Sequence, residues 1–347
     1  MKTVYVGLSG GVDSSVSAAL LKQQGYNVVG VYMKNWTKDL PGMLCPWKDD
    51  FTDAKRVAVQ LGIDFRVYDF EKQYRQKVVD YMLDGFKAGL TPNPDIMCNQ
   101  EIKFKLFLDT ALADGADLVA TGHYANTKNG RLFKAKDDNK DQTYFLYRVS
   151  SQAFEKTLFP LGDLTKPQVR QLAKQFKLVT ADKKESMGIC FVGKINIKDF
   201  LMQYIEQKPG DIVNQAGTVI GQHEGAFFYT IGQRHGLEVG GGMPFYVTGK
   251  DMKRNEVYVT TDLQDEKLWS RKIKLTSVHW INGEPKKDQK LLVRTRHRAK
   301  LLPVKKLRQV SNLKWVAELE DDVRALTPGQ SAVFYKDSEC LGGGIVT

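Results

Sequence analysis

The stretch Ser9-Gly10-Gly11-Val12-Asp13-Ser14-Ser15 follows an apolar, β-rich run at Thr3–Leu8. A helix is predicted directly after it, over Asp13–Gln24. Glycines at such a junction let backbone amides close around phosphate oxygens, and the start of the helix adds partial positive charge. The stretch lacks the Gly-Lys-Ser/Thr of a Walker A loop and the G-x-G-x-x-G dinucleotide pattern. We therefore expect a phosphate loop of another kind; the alternative is an ordinary tight turn between strand and helix.

Strands and helices alternate through the first 130 or so residues, which indicates right-handed crossovers and a mainly parallel sheet. Ligands bind such sheets at the carboxyl ends of the strands, so the loops after Leu8, Met33, Phe70 and Ala120 should form one site. The further strands are expected at Asn27–Met33, Asp64–Phe70 and Asp117–Gly122, and the further helices at Phe51–Leu61, Glu71–Lys87 and about Ile96 to Ala113.

The pattern changes after residue 200, where glycines cluster and short alternating strands follow. Such strands, separated by turn residues, are typical of a small β-barrel. They are expected at Phe245–Thr248, Val257–Thr260, Leu291–Arg298, Trp315–Leu319 and Ala332–Tyr335. The sequence thus predicts an α/β nucleotide-binding domain at 1–200, a glycine-rich middle domain at 201–265 and a β-barrel at 266–347.

The composition narrows the class of protein. The 347 residues include 42% apolar and 26% charged side chains, which excludes collagen, coiled-coil arrays and disordered chains. No apolar run is long enough for a membrane span, and the first residues read as a strand, not as a signal peptide, so we expect a cytoplasmic protein. The formal net charge of +11 favours a polyanionic partner such as nucleic acid, although an ordinary basic protein would look the same.

The four cysteines form no C-x-x-C pair, which argues against a zinc ribbon or an iron–sulfur cluster. Cys98 lies just inside a predicted helix start, where the helix dipole favours thiolate, while the nearby Asp95 opposes it but is placed for proton transfer. Cys190 lies in a glycine-flanked apolar segment. A lone cysteine is more often an inert buried side chain, so these contexts alone leave both thiols open. The remaining two are Cys45 and Cys340.

Longer strings carry a resemblance to a known family. The glycine-rich loop is similar to the pyrophosphatase (PP) loop of the Rossmann-like ATP-pyrophosphatase superfamily. The whole chain, in order, resembles the tRNA-specific 2-thiouridylases. The strings that carry this resemblance are Thr91–Asp95, Cys98-Asn99, Glu101–Phe104, Ala120–Tyr124, Lys140–Leu146, Gly188–Phe191, Thr230–Arg234, Thr327–Ala332 and Cys340–Gly344.

This resemblance implies a reaction. ATP would adenylate the oxygen at carbon 2 of the wobble uridine in tRNA for lysine, glutamate and glutamine, releasing pyrophosphate. Cys190 would carry a persulfide, and Cys98 would help release its sulfur, ending in a disulfide with Cys190. Asp95 would assist proton transfer. Mg²⁺ would accompany ATP without a dedicated protein cage, and a cysteine desulfurase or a sulfur-relay protein would donate the sulfur.

The same resemblance implies two sets of contacts. The ATP contacts would be Gly7, Leu8, Ser9, Gly10, Gly11, Val12, Asp13, Ser14, Met33 and Gly122. The tRNA contacts would be Asn93, Pro94, Asp95, His123, Lys140, Asp141, Gln142, Arg296, His297 and Gln330.

A basic stretch near the C-terminus supports RNA binding. Nine lysines and arginines and no acids lie between Gln289 and Ala317. On a strand, Arg294, Arg296 and Arg298 would share one face, which suits phosphate contacts, although charged runs are usually solvated faces. His297 would then lie opposite Arg296 unless the strand ends or bulges there.

Two other functions compete with this interpretation. A related enzyme could deliver nitrogen to a small molecule, and it would need neither reactive cysteine nor the basic tail. A non-catalytic tRNA-binding protein could have kept the same fold. ATP turnover that depends on tRNA separates the three.

Overall fold

A computed structural model describes residues 1–39, 45–184, 197–237, 239–240 and 242–347. The N-terminal unit is built on a five-stranded parallel sheet with the order β3-β2-β1-β4-β7. From β1 the chain adds β2 and β3 on one side of the sheet and then β4 and β7 on the other, so the strand order reverses beside β1. The strands are β1 (Thr3–Gly7), β2 (Asn27–Lys34), β3 (Asp64–Asp69), β4 (Leu118–Ala120) and β7 (Thr157–Leu158).

Helices cover both faces of this sheet and bury its apolar side chains in two clusters. Two of the longer helices contain a π-helical segment. The helix over residues 71–87 contains one at Arg75–Val79, and the helix over residues 94–113 contains one at Cys98–Leu106. Within the described residues, no helix has the length and apolar character needed to cross a membrane. The other helices are α1 (Val12–Gln23), α2 (Trp47–Leu61), Thr143–Leu146, Ser151–Glu155, Lys166–Gln175 and Ile197–Met202.

The middle unit is a four-stranded sheet with the order β10-β11-β8-β9. The hairpin expected near residues 245–260 belongs to this sheet, since β11 pairs with β8 and not with the C-terminal strands. The strands are β8 (Gly210–Val213), β9 (Val219–His223), β10 (Tyr246–Asp251) and β11 (Glu256–Thr260).

The C-terminal unit is a closed barrel of six strands in the order β12-β15-β14-β13-β16-β17, because β12 also pairs with β17. Its interior is filled by aliphatic and aromatic side chains. The predicted fold class is therefore confirmed. The strands are β12 (Trp269–Trp280), β13 (Leu291–Arg294), β14 (Leu302–Ser311), β15 (Lys314–Arg324), β16 (Ser331–Lys336) and β17 (Glu339–Val346).

A hairpin of the N-terminal unit extends the barrel sheet. Its strands, β5 (Asn126–Lys128) and β6 (Arg131–Phe133), lie beside β17, and Arg131 Nε donates to Glu339 Oε1 at 2.7 Å. The tight turn between them needs positive φ at two successive residues, Asn129 (53°) and Gly130 (72°). Hydrogen bonds between strands therefore join the first and last units of the chain.

The strand predicted over Leu291–Arg298 is wrong in its second half. β13 ends at Arg294, and the chain turns over the next four residues, with Arg298 at a φ of 62°. The alternation of side chains that holds along a strand therefore stops at Arg294.

Candidate functional site

The phosphate-loop region lies where the carboxyl ends of β1 and β4 meet. A side-chain carbon added to Gly7 would lie 3.0 Å from Met33 Cε, and one added to Gly122 would lie 2.7 Å from the backbone nitrogen of Ser14. The structure thus brings together these members of the expected ATP set. Their position beside β1 is the switch point at which open α/β sheets bind ligands.

The loop itself requires glycine. Gly10 has a φ of +72°, and a side-chain carbon there would lie only 2.2 Å from the carbonyl oxygen of Asp50. Gly11 caps α1 without a side-chain acceptor, which leaves the first amides of the helix for a ligand. The loop is closed by a hydrogen bond from the Ser9 backbone N–H to Ser14 Oγ at 3.1 Å. These features fit a bound phosphate group.

Asp13 is anchored within the protein. Lys166 Nζ lies 2.7 and 2.8 Å from its two carboxylate oxygens, and the hydroxyl of Tyr124 donates to Oδ1 at 2.9 Å. Lys166 is the first residue of a helix distant in sequence, so no local pattern could have predicted this contact. The ion pair fixes the first turn of α1 against the rest of the N-terminal unit.

The second part of the site is the start of the helix over 94–113. Asn93 Oδ1 accepts the backbone N–H groups of Asp95 and Ile96, at 3.1 and 3.3 Å, and Pro94 occupies the first helical position. Asp95 is partly buried, and burial raises the pKa of its carboxyl, while the positive charge of Lys103 lowers it. Cys98 follows in the second turn and is almost fully buried.

His123 lies between these two parts. Its Nε2 is 3.4 Å from Lys103 Nζ, and its Nδ1 is 2.7 Å from Thr121 Oγ1. Burial, and then the charge of Lys103, hold the pKa of His123 well below its usual range, so the ring is neutral. A lysine ammonium can only donate, which makes Nε2 the acceptor and places the ring proton on Nδ1.

Lys103 is the functional candidate that the sequence analysis missed. It lies on the same helix as Asp95 and Cys98, and it contacts the residue that follows Gly122. In the sequence it belongs to the family-like string Glu101–Phe104, and its spacing from Asp95 and Cys98 carries no further signal. The contacts from Ser14 to Gly122, then His123 and Lys103, connect the phosphate loop to the helix of Cys98.

Several expected tRNA contacts lie instead between the N-terminal unit and the barrel. Asp141 has no exposed surface: its Oδ2 is 3.1 Å from Arg294 Nη1, and Thr143 Oγ1 donates to it at 2.9 Å. Gln142 Oε1 accepts the backbone N–H of Tyr124 at 2.9 Å. The side chains of Asp141 and Gln142 therefore form hydrogen bonds within the protein, whereas Lys140 beside them is partly exposed.

The remaining expected contacts also bond to the protein. Arg296 Nη2 lies within 3.0 Å of three acceptors, the carbonyls of Ile231 and Ala325 and the hydroxyl of Thr327. Gln330 Nε2 donates to the carbonyl of Thr91 at 2.8 Å. Arg294 is buried, Arg296 is hydrogen-bonded within the protein, and β13 ends at Arg294. The predicted exposed row of three arginines is therefore not formed.

His297 packs against an aromatic ring. Its ring centroid lies 4.5 Å from that of Phe145. Burial, followed by the charges of Arg298 and Arg294, lowers the pKa of His297 to about 4. The ring is therefore neutral at physiological pH, so any contact with RNA would be by stacking or a neutral hydrogen bond.

The cysteines differ in setting. Cys190 lies outside the described residues, together with the rest of the Gly188–Phe191 string. Cys45 and Cys340 are free thiols. Burial raises the pKa of both Cys45 and Cys340, and each contacts a backbone carbonyl, that of Trp36 at 3.7 Å and that of Thr143 at 3.9 Å. These two thiols therefore have the character of inert core groups.

Within the described part of the chain, no group of three or more His, Cys, Asp or Glu side chains lies close enough together to hold a metal ion.

Three family models match successive parts of the chain. They are the tRNA methyl transferase HUP domain at residues 2–194, the tRNA methyl transferase PRC-barrel domain at 198–261, and the aminomethyltransferase beta-barrel domain at 270–346. Their order is that of the N-terminal unit, the middle unit and the barrel.

Among solved structures, a 4-thiouridine synthetase–RNA complex with bound ATP aligns over 58% of this chain and 50% of its own chain, with 16% sequence identity and a TM-score of 0.38.

Curated proteins align over nearly the whole length. The tRNA-specific 2-thiouridylase MnmA of Bacillus subtilis (strain 168) is 46% identical over 99% of this chain and 94% of its own. The protein of the same description from Bacillus thuringiensis (strain Al Hakam) is 47% identical, with the same coverage of both chains. The chain therefore belongs to the tRNA-specific 2-thiouridylase family, which confirms the prediction that it is a tRNA-uridine 2-sulfurtransferase.

Proposed function

We propose that this chain is a cytoplasmic enzyme that uses ATP to convert the wobble uridine of tRNA for lysine, glutamate and glutamine to 2-thiouridine. The observation that carries the proposal is the contact path from the phosphate loop to the helix of Cys98. Gly122 touches the start of α1, and the next residue, His123, touches Lys103 on that helix. An activated nucleotide and a thiol would therefore meet in one region.

The phosphate loop binds the triphosphate in this proposal. The amides around Gly10 and Gly11 and the start of α1 supply hydrogen-bond donors and partial positive charge to the phosphate oxygens. Mg²⁺ would enter with the nucleotide, held by phosphate oxygens. ATP, when bound, supplies the adenylyl group that turns the oxygen at carbon 2 of the uridine into part of a good leaving group.

The thiols then perform the sulfur transfer. The outer sulfur of a Cys190 persulfide forms the bond to carbon 2 as AMP departs. The Cys98 thiolate next attacks the inner sulfur, which breaks the S–S bond, leaves sulfur on the uridine and gives a Cys98–Cys190 disulfide. A thiol reductant must reopen that disulfide. Asp95, one turn before Cys98 and held by the Asn93 cap, is placed to take up and return the protons.

The RNA surface is proposed to include β14 of the barrel. Leu307 packs with the barrel core, so Lys306 and Arg308 on either side of it point outward, and both are exposed. With Arg294 and Arg296 engaged inside the protein, this strand offers the phosphate contacts that the row of three arginines was expected to supply. Lys140 and His297 extend the surface toward the site, while the uridine would approach the segment from Asn93 to Asp95 and the edge of His123.

The test combines two readouts on the purified protein. Unthiolated tRNA, ATP, cysteine and a cysteine desulfurase are supplied, pyrophosphate is measured, and the tRNA is analysed by nucleoside mass spectrometry. We expect pyrophosphate release that requires tRNA, together with 2-thiouridine. Pyrophosphate release without tRNA would favour an enzyme acting on a small molecule. No pyrophosphate release and no 2-thiouridine, from a protein that binds tRNA tightly in a separate binding measurement, would favour a binding protein.

A further inference from the structure

All three units of the chain meet at one residue of the segment that leads into the helix of Asp95 and Cys98. The backbone N–H of Thr91 donates to the carbonyl of Pro328 at 2.9 Å, and its carbonyl accepts from Gln330 Nε2 at 2.8 Å. Its hydroxyl lies 3.2 Å from that of Thr230 in the middle unit. Every polar group of Thr91 therefore bonds to another unit, two to the barrel and one to the middle unit.

The contacts at this junction are close enough to fix its geometry. A side-chain carbon added to Gly329 of the barrel would lie 2.6 Å from the backbone nitrogen of Thr91. One added to Gly89 would lie 2.6 Å from the side chain of Met252 in the middle unit. Neither position has room for a larger residue without displacing a neighbour, so the segment from Gly89 to Thr91 is held on two sides.

The partner loop of the middle unit is itself fixed to the barrel. Arg296 Nη2 donates to the carbonyl of Ile231 at 3.0 Å and also contacts the Ala325 carbonyl and the Thr327 hydroxyl. A side-chain carbon on Gly232 would lie 2.5 Å from Ala325 Cβ. The Thr230 hydroxyl therefore reaches Thr91 from a loop that is hydrogen-bonded to the barrel and packed against it.

Thr91 lies shortly before the helix of the reactive groups in the sequence. Two residues later, Asn93 caps the helix by accepting the backbone N–H of Asp95 at 3.1 Å. The direction of that cap sets where the Asp95 carboxylate and the Cys98 thiol lie relative to the phosphate loop. A displacement of about 1 Å in such a group costs on the order of a hundredfold in rate.

We propose that Thr230 is a positioning residue, which acts through its hydroxyl contact with Thr91 to set the start of the helix that carries Asp95 and Cys98. This role presupposes the thiolation proposed above. Gln330 and Arg296, expected to contact tRNA, support the same junction from the barrel side. The middle unit thereby contributes to the chemical step without supplying a group to the substrate.

The test is steady-state thiolation by Thr230→Val, which removes the hydroxyl and keeps the shape. We expect kcat to fall by about fivefold, the loss of one hydrogen bond, with KM for tRNA changed by less than about twofold. Thr230→Ser should restore kcat. Because Thr91→Val breaks the same contact, the double variant should lose no more than either single variant. Thr218→Val, on an exposed position of the same unit, is the matched control.

The outcomes separate the two proposals. An inactive wild-type protein would overturn the proposed function itself. With an active wild type, a Thr230→Val variant equal to Thr218→Val would overturn the positioning role, as would a rise in KM alone, which indicates a tRNA contact. Additive losses in the double variant, or no recovery by Thr230→Ser, would also overturn it. Should Thr230→Val fail to fold, Thr91→Val and Thr230→Ser carry the same comparison.

Discussion

Arg294 and Asp141 form a buried ion pair between the barrel and the N-terminal unit, with Nη1 and Oδ2 3.1 Å apart and side chains only 8% and 0% exposed. The hydroxyl of Thr143 and the backbone N–H of Ala135 also bond to the carboxylate. Removing one partner of such a pair leaves an uncompensated charge in the interior. The pair therefore fixes the string Lys140–Leu146 against the barrel.

Arg294→Met should destabilise the protein by about 3–5 kcal/mol, because it leaves the Asp141 carboxylate buried without its cation. We therefore expect Arg294→Met to unfold at a lower midpoint temperature than the wild-type protein. Arg294→Met combined with Asp141→Asn should recover part of that loss. Arg298→Met, on an exposed turn, is the control and should change stability by less than about 0.5 kcal/mol. Equal midpoints for the two single arginine variants would show that the pair does not stabilise the fold.

Lys306→Ala with Arg308→Ala should weaken tRNA binding and lower its dependence on salt. Each lost phosphate contact should reduce the slope of log affinity against log salt by about 0.7–0.9. Arg294→Met should leave that slope unchanged, since Arg294 is buried. The control removes two exposed lysines, Lys2 just before β1 and Lys22 in the last turn of α1, which lie at the ends of these elements away from the phosphate loop. An identical slope for the β14 variant and this control would mean that β14 does not touch tRNA.

The N-terminal unit was predictable from sequence because its signals are local. The glycine pair after β1 and the glycine that follows the predicted helix Phe51–Leu61 each act within a few residues of the element that they define. The predicted helix start near Ile96 was late by two residues, since proline at the first helical position is favourable. The site residues, which spacing alone left open, stay predictions that rest on the family resemblance.

The missed features depend on contacts between distant parts of the chain. Period-two alternation placed three arginines on one face, but β13 ends at Arg294, and a turn redirects the rest. The partner that buries Arg294 is Asp141, 153 residues earlier. The β5–β6 hairpin has strands of only three residues, and its pairing with β17 completes it. No short window of sequence contains such information.

Asp13→Asn should reduce pyrophosphate release by roughly a hundredfold while leaving tRNA affinity nearly unchanged. The loss of charge removes the ion pair with Lys166 and loosens the first turn of α1, whereas the proposed RNA surface lies elsewhere. Asp49→Asn, an exposed carboxylate in the first turn of α2, is the matched control. Normal pyrophosphate release by Asp13→Asn would rule out the proposed role of the loop.

Cys190→Ser should carry no persulfide after incubation with a cysteine desulfurase and cysteine, whereas Cys98→Ser should still be loaded. Neither variant should form 2-thiouridine, because sulfur must be loaded before a second thiol can release it. Cys45→Ser and Cys340→Ser should remain substantially active, since both thiols are buried against backbone carbonyls. Intact-protein mass reports the adduct, and nucleoside analysis reports the product. A persulfide on Cys98 alone would reverse the roles.

Lys103→Gln should move the acid side of the pH–rate profile to higher pH. Burial raises the pKa of Asp95, and the charge of Lys103 counteracts that rise by stabilising the carboxylate. Without that charge the pKa of Asp95 rises further, so a larger fraction of the enzyme holds a protonated acid that cannot accept a proton. The measurement is single-turnover formation of 2-thiouridine across the mildly acidic and neutral range.

Two variants on the same helix decide whether charge is the cause. Lys103→Arg keeps the charge and should keep the wild-type profile. Lys105→Gln removes an exposed lysine that pairs with Glu101 at 3.2 Å, two positions from Lys103, and should also leave the profile in place. Burial is the larger of the two causes that hold the pKa of His123 well below its usual range, and this cause remains in all three variants. An unshifted acid limb in Lys103→Gln, with activity lost equally at every pH, would show that Lys103 acts on the substrate instead of through Asp95.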